Sequence, residues 1–99
     1  MVYDPGVLHA ALSAAVGDDP QLIAELRGVF VERAQTMIDQ LRRSGCDADW
    51  RMAALRLEGL AASFGAVALM TAASQAAASS AGDPVMLRTI VQAFAAFDA

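Results

Sequence analysis

The 99-residue sequence contains no lysine, one cysteine and one histidine, and each scarcity excludes a class of chemistry. Without lysine there is no Schiff-base amine and no G-x-x-x-x-G-K-[ST] phosphate-binding loop. Cys46 and His9 cannot supply the four ligands of a structural zinc site, and one cysteine cannot form an internal disulfide. A catalytic thiol or hydroxyl also needs a neighbouring base, and His9 is the one candidate. We therefore expect no metal, no cofactor and no enzymatic activity.

Charge is scarce too, since 18% of the residues are charged and the formal net charge is −4. An acidic chain repels phosphate backbones, so nucleic acid is not an expected partner. Gly, Ser, Asp or Arg interrupts the apolar stretches before they reach the roughly 20 residues that a membrane span needs. Asp4 stands in the region where a secretory signal would be basic. These features predict a cytoplasmic domain with no membrane partner.

What the chain does contain is helix-forming sequence, because 57% of it is hydrophobic and alanine alone makes up roughly a quarter. Aspartate is a favoured N-cap and proline suits the first helical position, so an Asp-Pro pair predicts a helix start. Three such pairs occur, Asp4-Pro5, Asp19-Pro20 and Asp83-Pro84. Glycines suited to ending a helix in a left-handed turn are Gly17, Gly45, Gly65 and Gly82. No alternation typical of strands appears between turn signals.

These signals divide one domain, residues 1–99, into predicted helices over 5–16, 20–44, Asp47 or Asp49 to about Phe64, 66–80 and 84–98. Short connections favour antiparallel neighbours. We predict an all-α fold, an up-and-down antiparallel four-helix bundle over residues 20–98, with the short helix 5–16 packed across one end. Apolar spacing predicts these inner faces: Ile23, Leu26, Phe30, Ala34, Met37, Ile38 and Leu41; Val67, Met70, Ala73 and Ala77; and Leu87, Ile90, Val91, Phe94 and Phe97.

The third predicted helix has two apolar faces. Helical spacing assigns Ala54, Leu57, Ala61 and Phe64 to the core. A second set, which we call the Leu55 face, consists of Met52, Leu55, Gly59 and Ala62. A glycine inside a helix costs about 1 kcal/mol relative to alanine, so Gly59 needs a reason. Either another helix of the bundle or an external partner approaches closely there, and its position off the core stripe favours the partner.

The run from Ala54 to Ala66 resembles the signature of histidine-containing phosphotransfer (HPt) domains, A-H-x-L-K-G-[SA]-[SA]-x-x-[LF]-G-A followed by leucine. The matching positions are Ala54, Leu57, Gly59, Ala61, Phe64, Gly65, Ala66 and Leu69. The segment from Asp19 to Phe30 is similar to the long helix that precedes the motif, and Asp49-Trp50 to an acidic-aromatic helix start. The resemblance spans roughly residues 18–98 and implies a four-helix bundle that docks a receiver domain.

Three departures from the signature bear on function. Leu55 occupies the position of the phosphoacceptor histidine, Glu58 that of the lysine that helps to neutralise the phosphoryl group, and Leu60 that of a small polar residue. Leucine has no nucleophilic atom, and a glutamate would repel a phosphoryl group. The resemblance therefore implies a degenerate HPt-like domain that kept the scaffold and lost the chemistry.

The leading hypothesis is thus a non-catalytic interaction module of two-component or phosphorelay signalling, which binds a receiver domain or a histidine kinase without carrying phosphate. Its partner-binding residues are Arg51, Met52, Leu55, Arg56, Glu58, Gly59 and Ala62. The alternatives are a homodimerising helical adaptor, phosphotransfer through His9, and a helical bundle unrelated to signalling. His9 has no basic neighbour and Ser13, not glycine, one turn on, which favours an ordinary surface histidine. A partly exposed, inert Cys46 is likewise expected.

Overall fold

The computed structural model describes residues 19–98, which form α1 (Pro20–Arg43), α2 (Asp47–Ser63), α3 (Val67–Ala77) and α4 (Pro84–Asp98). No strand occurs within these residues, so the predicted all-α class is confirmed. The predicted helix 5–16, with its Asp4-Pro5 start and Gly17 end, lies outside the described residues. None of the four helices is both long and apolar enough to cross a membrane.

Two helices begin at the predicted Asp-Pro pairs. A carboxylate oxygen of Asp19 accepts hydrogen bonds from the backbone N–H groups of Gln21 and Leu22, at 3.1 and 3.2 Å. The Asp83 carboxylate does the same for the first turn of α4, with bonds of 2.9 and 3.2 Å. Each cap satisfies N–H groups that have no partner within the helix. The sequence rule is therefore confirmed for α1 and α4.

The predicted cap of α2 was wrong. Cys46 is the N-cap, and its side chain makes no capping hydrogen bond. Asp47 is the first helical residue, and its carboxylate accepts a 2.9 Å hydrogen bond from the backbone N–H of Ala81 instead. A contact with the α3–α4 connection has thus displaced the local cap. Asp47 and Asp49 still place negative charge in the first turn of α2, where the helix dipole favours it.

Gly65 ends α2 as predicted. Its φ of 70° is left-handed, and the N–H groups of Gly65 and Ala66 donate to the carbonyls of Ala62 and Ala61, a Schellman motif. Gly82 is also left-handed, with φ 79°, but lies within the α3–α4 connection and not directly at a helix end. The prediction for Gly45 was wrong. Gly45 does not have a positive φ, and α1 ends at Arg43 with Ser44 as a C-cap in extended backbone.

The core is a single cluster to which all four helices contribute. Its largest fully buried side chains are Trp50, Phe30, Phe97, Leu41, Leu57, Leu69 and Ile90. The Phe30 ring packs on those of Phe64 and Phe97, with centroids 4.9 and 4.4 Å apart. The predicted stripe of α1 is confirmed, with Leu26 and Met37 half-buried at its edges. In α4, Ile90 and Phe97 are buried and the other predicted positions are partly buried against the core.

The predicted inner face of α3 was rotated from the true one. Its buried residues are Leu69, Ala72, Ala73 and Ala76, whereas three of the four predicted positions, Val67, Met70 and Ala77, are half-buried. Alanine dominates this helix, so apolar spacing alone does not choose between neighbouring faces.

Each helix packs against the next along the chain, and α1 also packs against α4, which closes the bundle. Connections of three residues (44–46 and 64–66) and six residues (78–83) join them. Such short connections favour the predicted antiparallel arrangement of neighbours. A hydrogen bond of 2.7 Å from the Trp50 indole N–H to the carbonyl of Ala76 ties the start of α2 to the end of α3.

Candidate docking face on α2

Helix α2 presents its two predicted apolar faces to opposite environments. Ala54, Leu57 and Ala61 are fully buried, and Phe64, the fourth residue predicted for the core, is half-buried against it, so the core face is confirmed. All four residues of the Leu55 face are exposed, with relative exposures of 54% for Met52 and 47% for Leu55. Among the described residues, few large hydrophobic side chains are this open to solvent. The helix therefore holds an apolar surface that the bundle itself does not cover.

Gly59 lies in the middle of this surface with free space above it. A Cβ built on Gly59 meets no atom within 4 Å, apart from the helix's own neighbouring backbone. Close approach of another helix of the bundle is therefore not the reason for the glycine. Gly28 on α1 is equally open, so an open helical glycine alone does not mark a binding site. What distinguishes Gly59 is its position between exposed apolar residues one turn to either side, Leu55 and Ala62.

Charged residues border the Leu55 face. Arg51 and Arg56 are exposed and Glu58 is half-buried. None of the three makes an ion pair or side-chain hydrogen bond with another described residue. An apolar centre inside a polar, unpaired rim is the usual anatomy of a protein interface. All seven predicted partner-binding residues thus lie on one helix, and their binding role stays a prediction.

The positions that depart from the HPt signature differ in their surroundings. Leu55, at the acceptor position, is exposed and offers only carbon atoms to a ligand. Leu60, which replaces a small polar residue, is half-buried and packs against the core cluster. Leu60 is therefore explained by bundle packing, whereas nothing within the described chain packs over Leu55 closely enough to bury it.

Other candidate chemistry is sparse in the described part of the chain. Cys46 is exposed, more openly than the partial exposure predicted. No three His, Cys, Asp or Glu side chains between residues 19 and 98 are placed to hold a metal ion. His9 lies outside the described residues, so its setting stays a prediction.

A groove between α1 and α2 was not predicted from the sequence. It consists of two adjoining cavities of about 380 and 310 Å³, and Gln40 and Arg56 line both of them. Met52 and Arg43 line the first cavity, and Arg33 lines the second. Met52 and Arg56 therefore belong to both the groove and the predicted partner-binding set. A signal was present in the α1 sequence, because Arg33, Gln40 and Arg43 are spaced to share one side of a helix.

No family model matches the chain, and no curated protein or solved structure matches it either. The resemblance to HPt domains is carried by the motif residues and the flanking helix pattern alone. The face described above is defined by exposure and packing, and does not depend on that resemblance.

Proposed function

We propose that this domain is a non-catalytic, HPt-like interaction module that binds a receiver domain or a histidine kinase through the Leu55 face without carrying phosphate. The observation that carries the proposal is the exposure of Leu55, 47%, at the position where the motif has its phosphoacceptor. Because the side chain at the acceptor position is exposed, a partner protein can contact it. Partners of this class are cytoplasmic, so the proposal includes a cytoplasmic location.

The chemistry of the face supports binding over phosphotransfer. Leu55 has no atom that can attack a phosphoryl group. Glu58, one turn away, carries the wrong charge for its neutralisation. Two like charges about 4 Å apart near a protein surface repel by about 4 kcal/mol at an effective dielectric of 20. Replacing a polar imidazole by leucine instead enlarges the apolar area that a partner can bury, at about 25 cal/mol per Å².

Binding is tested with purified receiver domains and histidine-kinase domains from the source genome, titrated against the wild-type domain and the Leu55→Asp and Gly59→Arg variants. Leu55→Asp places a charge in the apolar centre, and Gly59→Arg fills the open space above the helix. Both should abolish binding and leave the helical circular dichroism unchanged, because both positions are exposed. Val85→Asp is the matched control, since Val85 is a 56% exposed apolar residue on α4.

Retention of partner affinity in both α2 variants would contradict the proposal, as would an equal loss in Val85→Asp. The non-catalytic part is tested by incubating the domain with a receiver that carries labelled phosphate. We expect no label on this chain. Acid-labile label on His9 would establish the alternative, phosphotransfer through a non-standard residue.

Homodimerisation is a second candidate, favoured by the distribution of charge. Residues 59–82 contain no charged side chain. The groove between α3 and α4 is lined only by uncharged residues, among them Ala68, Thr71, Gln92 and Ala96. A neutral face avoids the self-repulsion of an acidic chain. Sedimentation velocity over a roughly hundredfold range of protein concentration tests dimerisation. A mass that stays at the monomer value throughout would exclude a homodimer.

A further inference from the structure

The groove between α1 and α2 carries more positive charge than this acidic chain would suggest. Arg33, Met37, Gln40 and Arg43 are spaced by four, three and three residues on α1 and line the groove together. The two arginines stand ten residues apart, which is about 15 Å along the helix axis. Arg56 of α2 lines both cavities and adds a third guanidinium.

These three guanidinium groups have no hydrogen-bond or ion-pair partner among the described residues. Arg33, Arg43 and Arg56 are exposed, and none donates a hydrogen bond or forms an ion pair with a described residue. Arg27 shows the contrast, because it is half-buried and donates to the carbonyl of Phe97 at 3.0 Å. A free guanidinium presents a planar fork of donors that matches a carboxylate with two parallel hydrogen bonds.

We infer that this groove is a recognition site for an acidic protein segment, whose carboxylates bind Arg33, Arg43 and Arg56. The inference deepens the proposed function and rests on it, because Met52 and Arg56 join the groove to the partner-binding set on α2. The partner of the Leu55 face would thus present an acidic edge next to its apolar contact.

The lining favours a protein over a nucleic acid. Glu32 and Asp49 stand among the three arginines, so the lining has only a small excess of positive charge. A continuous phosphate backbone could not avoid these two carboxylates, whereas a protein segment can place its separate carboxylates on the arginines and away from them. Met37 and Met52 add flexible apolar surface. Arginine and methionine are both enriched in protein interfaces, and methionine adapts to varied partner shapes. Separate carboxylates flanked by apolar side chains suit this mixed lining.

The test uses a fluorescent helical peptide of about 20 residues, or about 30 Å, with glutamate at every fourth position and leucine and alanine between. A matched peptide replaces each glutamate by glutamine, and an oligothymidylate of similar length is the third probe. Binding is measured by anisotropy with wild-type protein, Arg43→Gln/Arg56→Gln, and the control Arg42→Gln/Arg88→Gln. The two variants lose the same charge, but Arg42 and Arg88 do not line the groove.

We expect the glutamate peptide to bind wild-type protein at least about fivefold more tightly than the glutamine peptide, because the glutamine peptide cannot form two or more of the exposed ion pairs with the groove arginines. Arg43→Gln/Arg56→Gln should remove most of that preference, and the control should keep it. Equal binding of the two peptides, equal loss in both variants, or tighter groove-dependent binding of the oligothymidylate would overturn the inference.

The outcome is separable from that of the proposed function. Peptide binding that depends on Arg43 and Arg56, with no receiver or kinase bound by the Leu55 face, would sustain the acidic groove and defeat the signalling assignment. Receiver binding that depends on Leu55 and is unchanged in Arg33→Gln/Arg43→Gln, the two groove arginines outside the partner-binding set, would do the reverse.

Discussion

Replacing Gly59 by alanine should make this domain more stable. A helix-interior glycine costs about 1 kcal/mol relative to alanine, through the backbone entropy of the unfolded chain. The new methyl group meets open space, because nothing lies within 4 Å of the built Cβ. The hydrogen bond from the Ser63 hydroxyl uses the Gly59 carbonyl, which the substitution keeps. We therefore expect a gain of about 1 kcal/mol.

In a domain of this size, about 1 kcal/mol corresponds to a rise in Tm of roughly 4–8 °C. Thermal unfolding followed by circular dichroism measures it. Gly28→Ala is the matched control, since Gly28 is an equally open helical glycine on α1 and should give a similar rise. The two variants should differ in their affinity for the partner. Gly59→Ala should lower this affinity, and Gly28→Ala should leave it unchanged. A fall in Tm for Gly59→Ala would refute the reasoning, because it would reveal an internal contact at that position.

Three further substitutions test a helix cap and two contacts between helices of the bundle. Asp83→Ala should lower the free energy of unfolding by about 1 kcal/mol through loss of the α4 cap, read by urea denaturation; an unchanged midpoint would contradict the capping role. Trp50→Phe removes the donor to the Ala76 carbonyl and should cost about 1–2 kcal/mol in the same assay, while an unaltered stability would show the bond to be dispensable. Arg27→Gln removes a half-buried guanidinium that donates to the Phe97 carbonyl and lies 5.7 Å from the Phe97 ring centroid. We expect the free energy of unfolding to fall by about 1 kcal/mol, and the difference from wild type to shrink in high salt. A difference that does not depend on salt would argue against a charge effect.

The starts of α1 and α4 and the two faces of α2 were predictable because local chemistry decides them. Asp19 and Asp83 each have the oxygen that a helix start needs, followed by proline. In α2, Leu55 and Leu57 are two residues apart, which is about 200° around a helix, so they fall on separate faces. Where helical spacing and local hydrogen bonding are informative, one sequence is enough.

Helix α3 lacked that information, since five of its eleven residues are alanine and its apolar residues are spread around the helix. Its polar residues carried the missing signal. Thr71, Ser74 and Gln75 share one side of the helix and are exposed, which leaves Leu69 and Ala73 on the buried side. The register of α3 follows from where the polar groups must stay hydrated, and not from apolar spacing.

Long-range contacts account for the wrong α2 cap and for the missed groove. Asp47 or Asp49 was expected to cap α2, because nothing local shows that the Asp47 carboxylate accepts a hydrogen bond from Ala81, 34 residues away. The arginine groove was missed for a related reason, because α1 supplies Arg33 and Arg43 and α2 supplies Arg56. No single segment carries the whole lining, so the site exists only once the two helices pack.

Binding of a partner protein by the Leu55 face is the property on which the proposed function depends. The most direct test is a two-dimensional NMR titration of the ¹⁵N-labelled domain with whichever receiver or kinase domain binds it. We predict that the backbone amides with the largest chemical-shift changes lie between Arg51 and Ala62, with smaller changes in the rest of α2 and none in α3. Shifts centred on α3 and α4, with α2 unmoved, would contradict it.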